Sequence, residues 1–334
     1  MSIVAREIHL KSRPDGLPTA TNFIAAERPL PEPRDGQLIV RNSFISVDPY
    51  MRGRMIDEPS YIPPFDLDAP LDGASIGTVV ASGDPRFPAG STVTHFSGWR
   101  DYALIDAATA NLVDTSNIPA ETYLDPLGFP GLAAYAGLMR FGKPQAGETV
   151  FVSAASGAVG SVAVQIAKLK GARVVASVGS EEKAAWLREL GADAVINYRD
   201  TGDLVASLRA AAPEGIDVYF DNVGGSHLEA AIEVANDFAR VVLCGMIEQY
   251  NSEARGPRNL YTAVKKSMVL SGFITPNQLH LWPDFARDVT AWIEAGQMQS
   301  RETIVDGLDN AVPAFLGLFT GQNVGKMLVR LPLA

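Results

Sequence analysis

From about residue 145 the sequence alternates short, almost wholly apolar runs with amphipathic ones: ETVFVSAA, AVGSVAVQIAKLK, ARVVASV, EEKAAWLREL, AVINY, DLVASLRAA, IDVYFDNV, HLEAAIEVA, ARVVLCGM, a helical NLYTAVKKS and VLSGFI. A strand that is apolar at every position must be covered on both faces, and a parallel sheet flanked by helices supplies that cover. The pattern predicts a doubly wound Rossmann domain with a six-stranded parallel sheet. PDFARDVTAWIEAG (283–296) then predicts a long helix, and the tail GLDNAVPAFLGLFTGQNVGKMLVRLP one more helix and a terminal strand.

The preceding part of the chain has a different texture. GQLIVRNSFISV (36–47), SIGTVVAS (75–82), STVTHF (91–96) and DYALI (101–105) are β-branched or alternating runs bounded by Gly, Pro and Asp, whereas proline clusters at 29–33 and 59–70 mark irregular connections. The chain's 334 residues exceed the length, about 250–300 residues, at which one core stops growing. The expected organisation is a β-rich substrate domain over 1–125, a dinucleotide-binding domain over 126–296, and a segment 297–334 that returns to the first. Lys and Arg number 28 against 38 Asp and Glu, a net charge of −10 that repels nucleic-acid phosphates. The single cysteine, Cys244, forbids an intramolecular disulfide and a cysteine-rich zinc site. MSIVAREIHLKSRP is too polar for a signal peptide, and no run approaches the roughly 18 apolar residues of a membrane span. The cytoplasm is the expected address, with no membrane partner.

SAASGAVGS (153–161) closes the first strand of the α/β region and opens its first helix. Its spacing, Ala155-x-Gly157-x-x-Gly160, is the dinucleotide fingerprint with alanine at the first glycine. Gly157 lets the backbone approach a pyrophosphate, Gly160 lets helix and strand lie close, and the N–H groups of Ala158, Val159 and Gly160 face the negative charge. The competing explanation is a pair of packing glycines without a ligand. About 20 residues on, an NAD site carries Asp or Glu for the ribose hydroxyls. ARVVASVGS puts Ser177, Val178 and Gly179 there instead, with Lys183 one helical turn later and Tyr198 and Arg199 at the end of the third strand. These three can surround a 2′-phosphate, which favours NADP(H); the alternative is a solvated Lys183 beside Glu181 and Glu182, acids that suit a helix N-terminus.

VDPYMRGRM (47–55), GFPGLAAYAGL (128–138), AASGAVGSVAVQIAKLKGARVV (154–175), GSEEK (179–183), YFDNVGG (219–225), CGMIEQYN (244–251) and NVGKMLVRL (323–331) together resemble the zinc-independent medium-chain dehydrogenase/reductases. The resemblance spans nearly the whole chain and is to the prostaglandin reductase, 2-alkenal reductase and curcumin reductase branch; RMIDEPSYIPP (54–64) is similar to bacterial curcumin reductases. It implies a GroES-like catalytic domain beside the Rossmann domain, NADPH-dependent reduction of the C=C bond of α,β-unsaturated aldehydes and ketones, and a homodimer. Residue by residue, it implies Ser180, Lys183 and Tyr198 at the adenosine 2′-phosphate end, Asn222, Cys244, Gly245 and Phe273 along the nicotinamide half, and Asn323 reaching back to the cofactor. Ala133 departs from the pattern, since relatives commonly carry Thr there, and the change implies the loss of a hydrogen bond near the nicotinamide.

Zinc alcohol dehydrogenases of this superfamily polarise a carbonyl with zinc held by cysteine and histidine. Here Cys244 lies on a strand of the cofactor domain, and His9, His95, His227 and His280 are scattered without a pair at ligand spacing, so no metal is expected. The G-x-S-x-G of a hydrolase is missing too. Hydride must then go to a carbon made electrophilic by conjugation, and the enolate oxygen that develops needs a neutral hydrogen-bond donor. Tyr250, in CGMIEQYN past the fifth strand, and Tyr50, in DPYMRG of the first domain and facing it across the cleft, are the candidates; alternatively Tyr250 only closes a loop and Tyr50 only packs on Met51 and Met55. Arg52 and Arg54 read as structural. Met51, Tyr61, Phe65, Phe129 and Trp282 are candidates to line an apolar substrate pocket. Two other functions stay open: an NADPH quinone oxidoreductase, and a non-catalytic NADPH-binding sensor.

Overall fold

A computed structural model describes residues 3–252 and 256–332. These divide into two units: one holds the residues up to Leu124, Glu302–Asn323 and those from Met327 on; the other holds Asp125–Arg301 and Val324–Lys326.

The first unit opens with an antiparallel ribbon of β1 (Val4–Leu10) and β2 (Phe23–Pro29). Apolar alternation does not reveal β1, because one of its inward positions carries Glu7, which is buried and held 2.9 Å from His9 Nε2 with Arg100 nearby. The runs expected as strands follow as β3 (Gln37–Ser46), β4 (Ser75–Ser82), β5 (Thr92–His95) and β6 (Tyr102–Asp106), with a two-residue β7 (Asn111–Leu112). The core of this unit gathers Phe23, Trp99 and Phe315, ring centroids 6.0–6.3 Å apart, around Met51, Met55 and Leu71.

In the second unit β8 (Thr149–Val152), β9 (Arg173–Val178), β10 (Ala194–Asn197), β11 (Ile216–Asp221), β12 (Ala235–Leu243) and β13 (Val269–Gly272) form one parallel sheet in the order β10-β9-β8-β11-β12-β13. Parallel strands of this kind are joined as a rule by right-handed crossovers, and strands apolar at nearly every position require cover on both faces. The helices are α1 (Phe129–Ala136), α2 (Ala158–Leu169), α3 (Glu181–Glu189), α4 (Leu204–Ala211), α5 (Gly225–Val234), α6 (Leu260–Lys265) and α7 (Trp282–Glu294). The strand order reverses between β8 and β11, and a fold of this kind binds its ligand at the carboxyl ends of the strands at that point. Among the described residues no helix is long and apolar enough to cross a membrane.

The tail returns to the first unit as β14 (Glu302–Asp306), α8 (Ala311–Leu318) and β15 (Lys326–Arg330), with the order β14-β15-β3-β4-β5-β7 and β6 on the other side of β3. β14 is an addition to the expected tail: a short, half-buried strand with an acid at each end shows little apolar signal. Just before β15, Gly325 donates its N–H to Ser156 O (2.8 Å) and bridges to Gly157, while Lys326 N–H reaches Arg301 O (2.9 Å). Gly325 has φ +71°, and a Cβ there would overlap the Arg301 carbonyl, so only glycine suits the position.

Candidate active site

The two glycines of the turn after β8 have unequal room around them. A Cβ on Gly160 would come within 2.5 Å of Ala154 O and 2.7 Å of Ala155 Cα, backbone atoms that cannot swing aside, so this glycine sets the close approach of α2 to the strand. A Cβ on Gly157 would meet only Ala154 O, at 3.4 Å. The protein does not need that space, and leaving it bare keeps the backbone open to a ligand. Ala155 is fully buried, its N–H donating to Ser177 O, while Ala158 and Val159 are half-buried in the first turn of α2. The first N–H groups of a helix have no partner within it and favour an anion. Gly160→Val is expected to cost about 1–3 kcal/mol by overpacking, read as a lower urea midpoint at unchanged slope.

At the end of β9 the residues expected around a 2′-phosphate come together. A Cβ on Gly179 would lie 2.8 Å from the Tyr198 hydroxyl and 3.2 Å from Arg199 Nε. Burial lowers the Lys183 pKa and the neighbouring Arg199 charge lowers it further, with Glu182 opposing. Two cations that repel each other beside an exposed phenol and a glycine suit an anion with several acceptor oxygens. Ser180 caps α3 by accepting from Lys183 N–H (3.4 Å), which fixes the turn that presents Lys183.

The switch point is organised by a residue that the sequence reading left without a role. Asp221 ends β11 fully buried, and its Oδ1 accepts from Tyr219 OH (2.7 Å), Gly224 N–H (2.8 Å), Val223 N–H (2.9 Å) and Ser153 Oγ (3.3 Å). Burial raises its pKa, and these donors oppose the rise. Ser153 Oγ also accepts from Asn222 N–H (3.0 Å), and Asn222 Nδ2 donates to Ser153 O (2.8 Å), so β8 and β11 are stitched at their ends. The signal for Asp221 is an acid closing the apolar run IDVYFD, since a carboxylate there must find donors.

Cys244 and Gly245 both donate their N–H groups to Asp221 O (2.9 and 3.0 Å) at the end of β12. Burial pushes the Cys244 thiol up to about 12, the Asp221 charge adding to it, so the sulfur is an uncharged, unreactive neighbour of the site. A Cβ on Gly245 would stand 3.5 Å from Asn222 O and 3.8 Å from the Tyr250 hydroxyl. Tyr250, half-buried after a 3₁₀ turn at Ile247–Gln249, thus brings its hydroxyl beside Gly245 and Asn222 at the sheet's carboxyl edge. Phe273, just past β13, stacks on Phe141 (5.2 Å, 23°), and Phe129 meets Trp282 edge to face (6.1 Å), which in turn meets Phe285 (5.3 Å). Ala133 is buried within α1. Asn323 is half-buried and immediately precedes the residues that reach the glycine turn.

In the first unit Tyr50 lies in a 3₁₀ segment, Pro49–Met55, and packs against the core with its hydroxyl buried and, among the described residues, without a hydrogen-bond partner. Burial, Asp48, Asp72 and Tyr61 raise its pKa well above the ordinary phenol value, Arg54 opposing. The structure corrects two pocket expectations: Met51 is fully buried in the core, because the tight 3₁₀ turn points it and Met55 inward, and Phe65 lies buried beneath the Arg54 guanidinium, 3.9 Å from its ring centroid. Tyr61 is 53 % exposed. Arg54 pairs with Asp72 and donates to Pro63 O, and Arg52 donates to Gly16 O, the structural roles expected of them.

The donor set does not fit zinc. His9 is held by Glu7, His95 by Asn42 and Ser97, and His280 by Arg140. Among the described residues no three His, Cys, Asp or Glu side chains gather as metal ligands would.

A doubly wound sheet with a glycine turn at its switch point, in a chain whose other unit is β-rich, is the architecture of a dinucleotide-dependent oxidoreductase. Residues 6–113 match the family described as the N-terminal domain of oxidoreductase, and residues 158–294 the family described as zinc-binding dehydrogenase. The NADPH-dependent curcumin reductase of Escherichia coli is 39 % identical, over 96 % of this chain and 95 % of its own, and the NADP(+)-dependent 2-alkenal reductase of Nicotiana tabacum 38 %, over 97 % and 96 %. The crystal structure of CurA in complex with NADPH from Vibrio vulnificus superposes with a TM-score of 0.93 at 38 % identity, over 98 % of this chain and 100 % of that one. The chain belongs to the medium-chain dehydrogenase/reductases, in the branch of the curcumin, 2-alkenal and prostaglandin reductases.

Proposed function

We propose that the protein is an NADPH-dependent reductase of the C=C bond of α,β-unsaturated ketones and aldehydes, working without a metal. The observation that carries this reading is the Tyr250 hydroxyl beside Gly245 and Asn222, an uncharged donor at the carboxyl edge of the sheet. The cofactor rests on the open Gly157 and on Lys183 and Arg199 converging by Gly179 and Tyr198, with no carboxylate where NAD would need one. The names of the relatives agree with both halves.

When bound, NADPH would supply the hydride that the β-carbon of the substrate accepts. Tyr250 donates a hydrogen bond to the carbonyl oxygen as enolate charge develops, an interaction that strengthens in the transition state and so raises the rate. The Tyr50 hydroxyl, kept neutral by burial, is a second donor without a competing partner among the described residues. Either phenol, or a water it orients, returns a proton to the α-carbon. Tyr61 and the Phe129–Trp282 pair supply apolar surface for the substrate. Asn222, Cys244, Gly245, Phe273 and Asn323 serve the nicotinamide half. The reading includes a cytoplasmic homodimer; the edge strand β13 with exposed Val269, and exposed Tyr261 and Val264 on α6, supports a second copy as partner.

The experiment is a panel: oxidation of NADPH and of NADH with an alkenal, a curcuminoid and a benzoquinone. Turnover of the conjugated carbonyls is expected; turnover of quinone alone, or NADPH binding with no oxidation, overturns the reading. Lys183→Ala is expected to raise the KM for NADPH about 10- to 100-fold while leaving NADH within about twofold, because a charge-assisted contact to the 2′-phosphate is removed.

A further inference from the structure

His227 lies in the first turn of α5, 4 % exposed, and neither of its ring nitrogens has a hydrogen-bond partner among the described residues. A neutral imidazole carries one donor and one acceptor, and leaving both buried and unpaired costs more than making an ordinary hydrogen bond returns. A leucine or phenylalanine would fill the same space without that cost. Burial lowers the His227 pKa to about 4, so the ring presents a donor and an acceptor rather than a charge.

The ring meets Tyr198 edge to face, with centroids 5.2 Å apart at 84°. The hydroxyl end of the same tyrosine lies against Gly179, in the cluster with Lys183 and Arg199. One tyrosine therefore joins the phosphate cluster to an unsatisfied imidazole. In a doubly wound sheet the half made of β8, β9 and β10 carries one mononucleotide of the dinucleotide, the one whose ribose the end of β9 recognises. The base of that half is adenine, whose edge offers a ring-nitrogen acceptor next to an amino donor.

We propose that His227 is a cofactor-binding residue that hydrogen-bonds the adenine ring, while its ring holds Tyr198 toward the 2′-phosphate. The inference rests on the dinucleotide reading of the site. Its test is calorimetric titration of the full chain with 5′-ADP and with 2′,5′-ADP, for the unsubstituted protein, His227→Phe and His227→Gln, together with the melting temperature of each without ligand. His227→Phe keeps an aromatic ring against Tyr198, so both nucleotides are expected to bind about tenfold more weakly with their ratio preserved. The melting temperature is expected to stay or rise, because two unsatisfied nitrogens are removed; a packing role predicts a fall. His227→Gln, which keeps a donor and an acceptor, is expected to recover part of the lost affinity. Full affinity for both nucleotides in His227→Phe, or a loss confined to 2′,5′-ADP, overturns the assignment. Failure of the unsubstituted chain to bind either nucleotide overturns the cofactor reading with it.

Discussion

Replacing Tyr250 with phenylalanine is expected to lower kcat for an enone by about 10²- to 10³-fold while leaving the Kd of NADPH within about twofold. The substitution removes one oxygen and keeps the ring, so the 3₁₀ turn that carries it is undisturbed. What is lost is a donor beside Gly245 and Asn222, at the edge where β11 and β12 end. An interaction that forms mainly as the enolate appears contributes to turnover and little to substrate binding, so KM is expected to move much less than kcat. Stopped-flow single turnovers with saturating enone, beside equilibrium NADPH titration, separate the two. Unchanged single-turnover rates would take the role from Tyr250 and leave the buried hydroxyl of Tyr50 to carry it.

Asp221→Ala is expected to destabilise the protein by about 3–5 kcal/mol, the range for removing one partner from a buried charged network. Its Oδ1 is the shared acceptor for the hydroxyls of Tyr219 and Ser153 and the N–H groups of Val223 and Gly224. Alanine leaves those donors buried and unpaired, which costs more than the bonds themselves returned. Asp221→Asn keeps one acceptor oxygen in the same place and should cost a fraction of that. Urea unfolding of the two variants measures the difference, and equal, small losses for both would show that the carboxylate is not the organiser of the switch point.

The sequence was most legible where one force dominates. The strands of the second unit carry no competing signal, so ETVFV, RVVASV and IDVYFD read directly as buried parallel strands, and the glycine turn between β8 and α2 has the context that makes its spacing meaningful. It was least legible where charge enters the interior. β1 hides behind the buried Glu7, and β14 behind its terminal acids. The site shows the same contrast. Gly179, Lys183, Tyr198 and Arg199, expected together from the missing carboxylate after β9, do stand together, whereas Met51 and Phe65 read as pocket surface because apolarity does not say which way a residue points inside a tight turn. Asp221 and His227 needed three dimensions: their importance lies in which neighbours donate to the first, and in the lack of any for the second.

The pairing of Gly325 with Ser156 and Gly157 has a consequence for how the protein is made. On a ribosome, the β8–α2 turn emerges long before the residue that braces it, so the sheet of the second unit can assemble while its glycine turn still lacks this backbone partner. Such a late, non-local contact is slow to form, because the chain between must be ordered first. Nucleotide capture then becomes a completion signal of biosynthesis: a nascent chain halted before residue 325 should carry a folded sheet and bind nucleotide weakly, and release of a few more residues should sharpen binding without building any new domain.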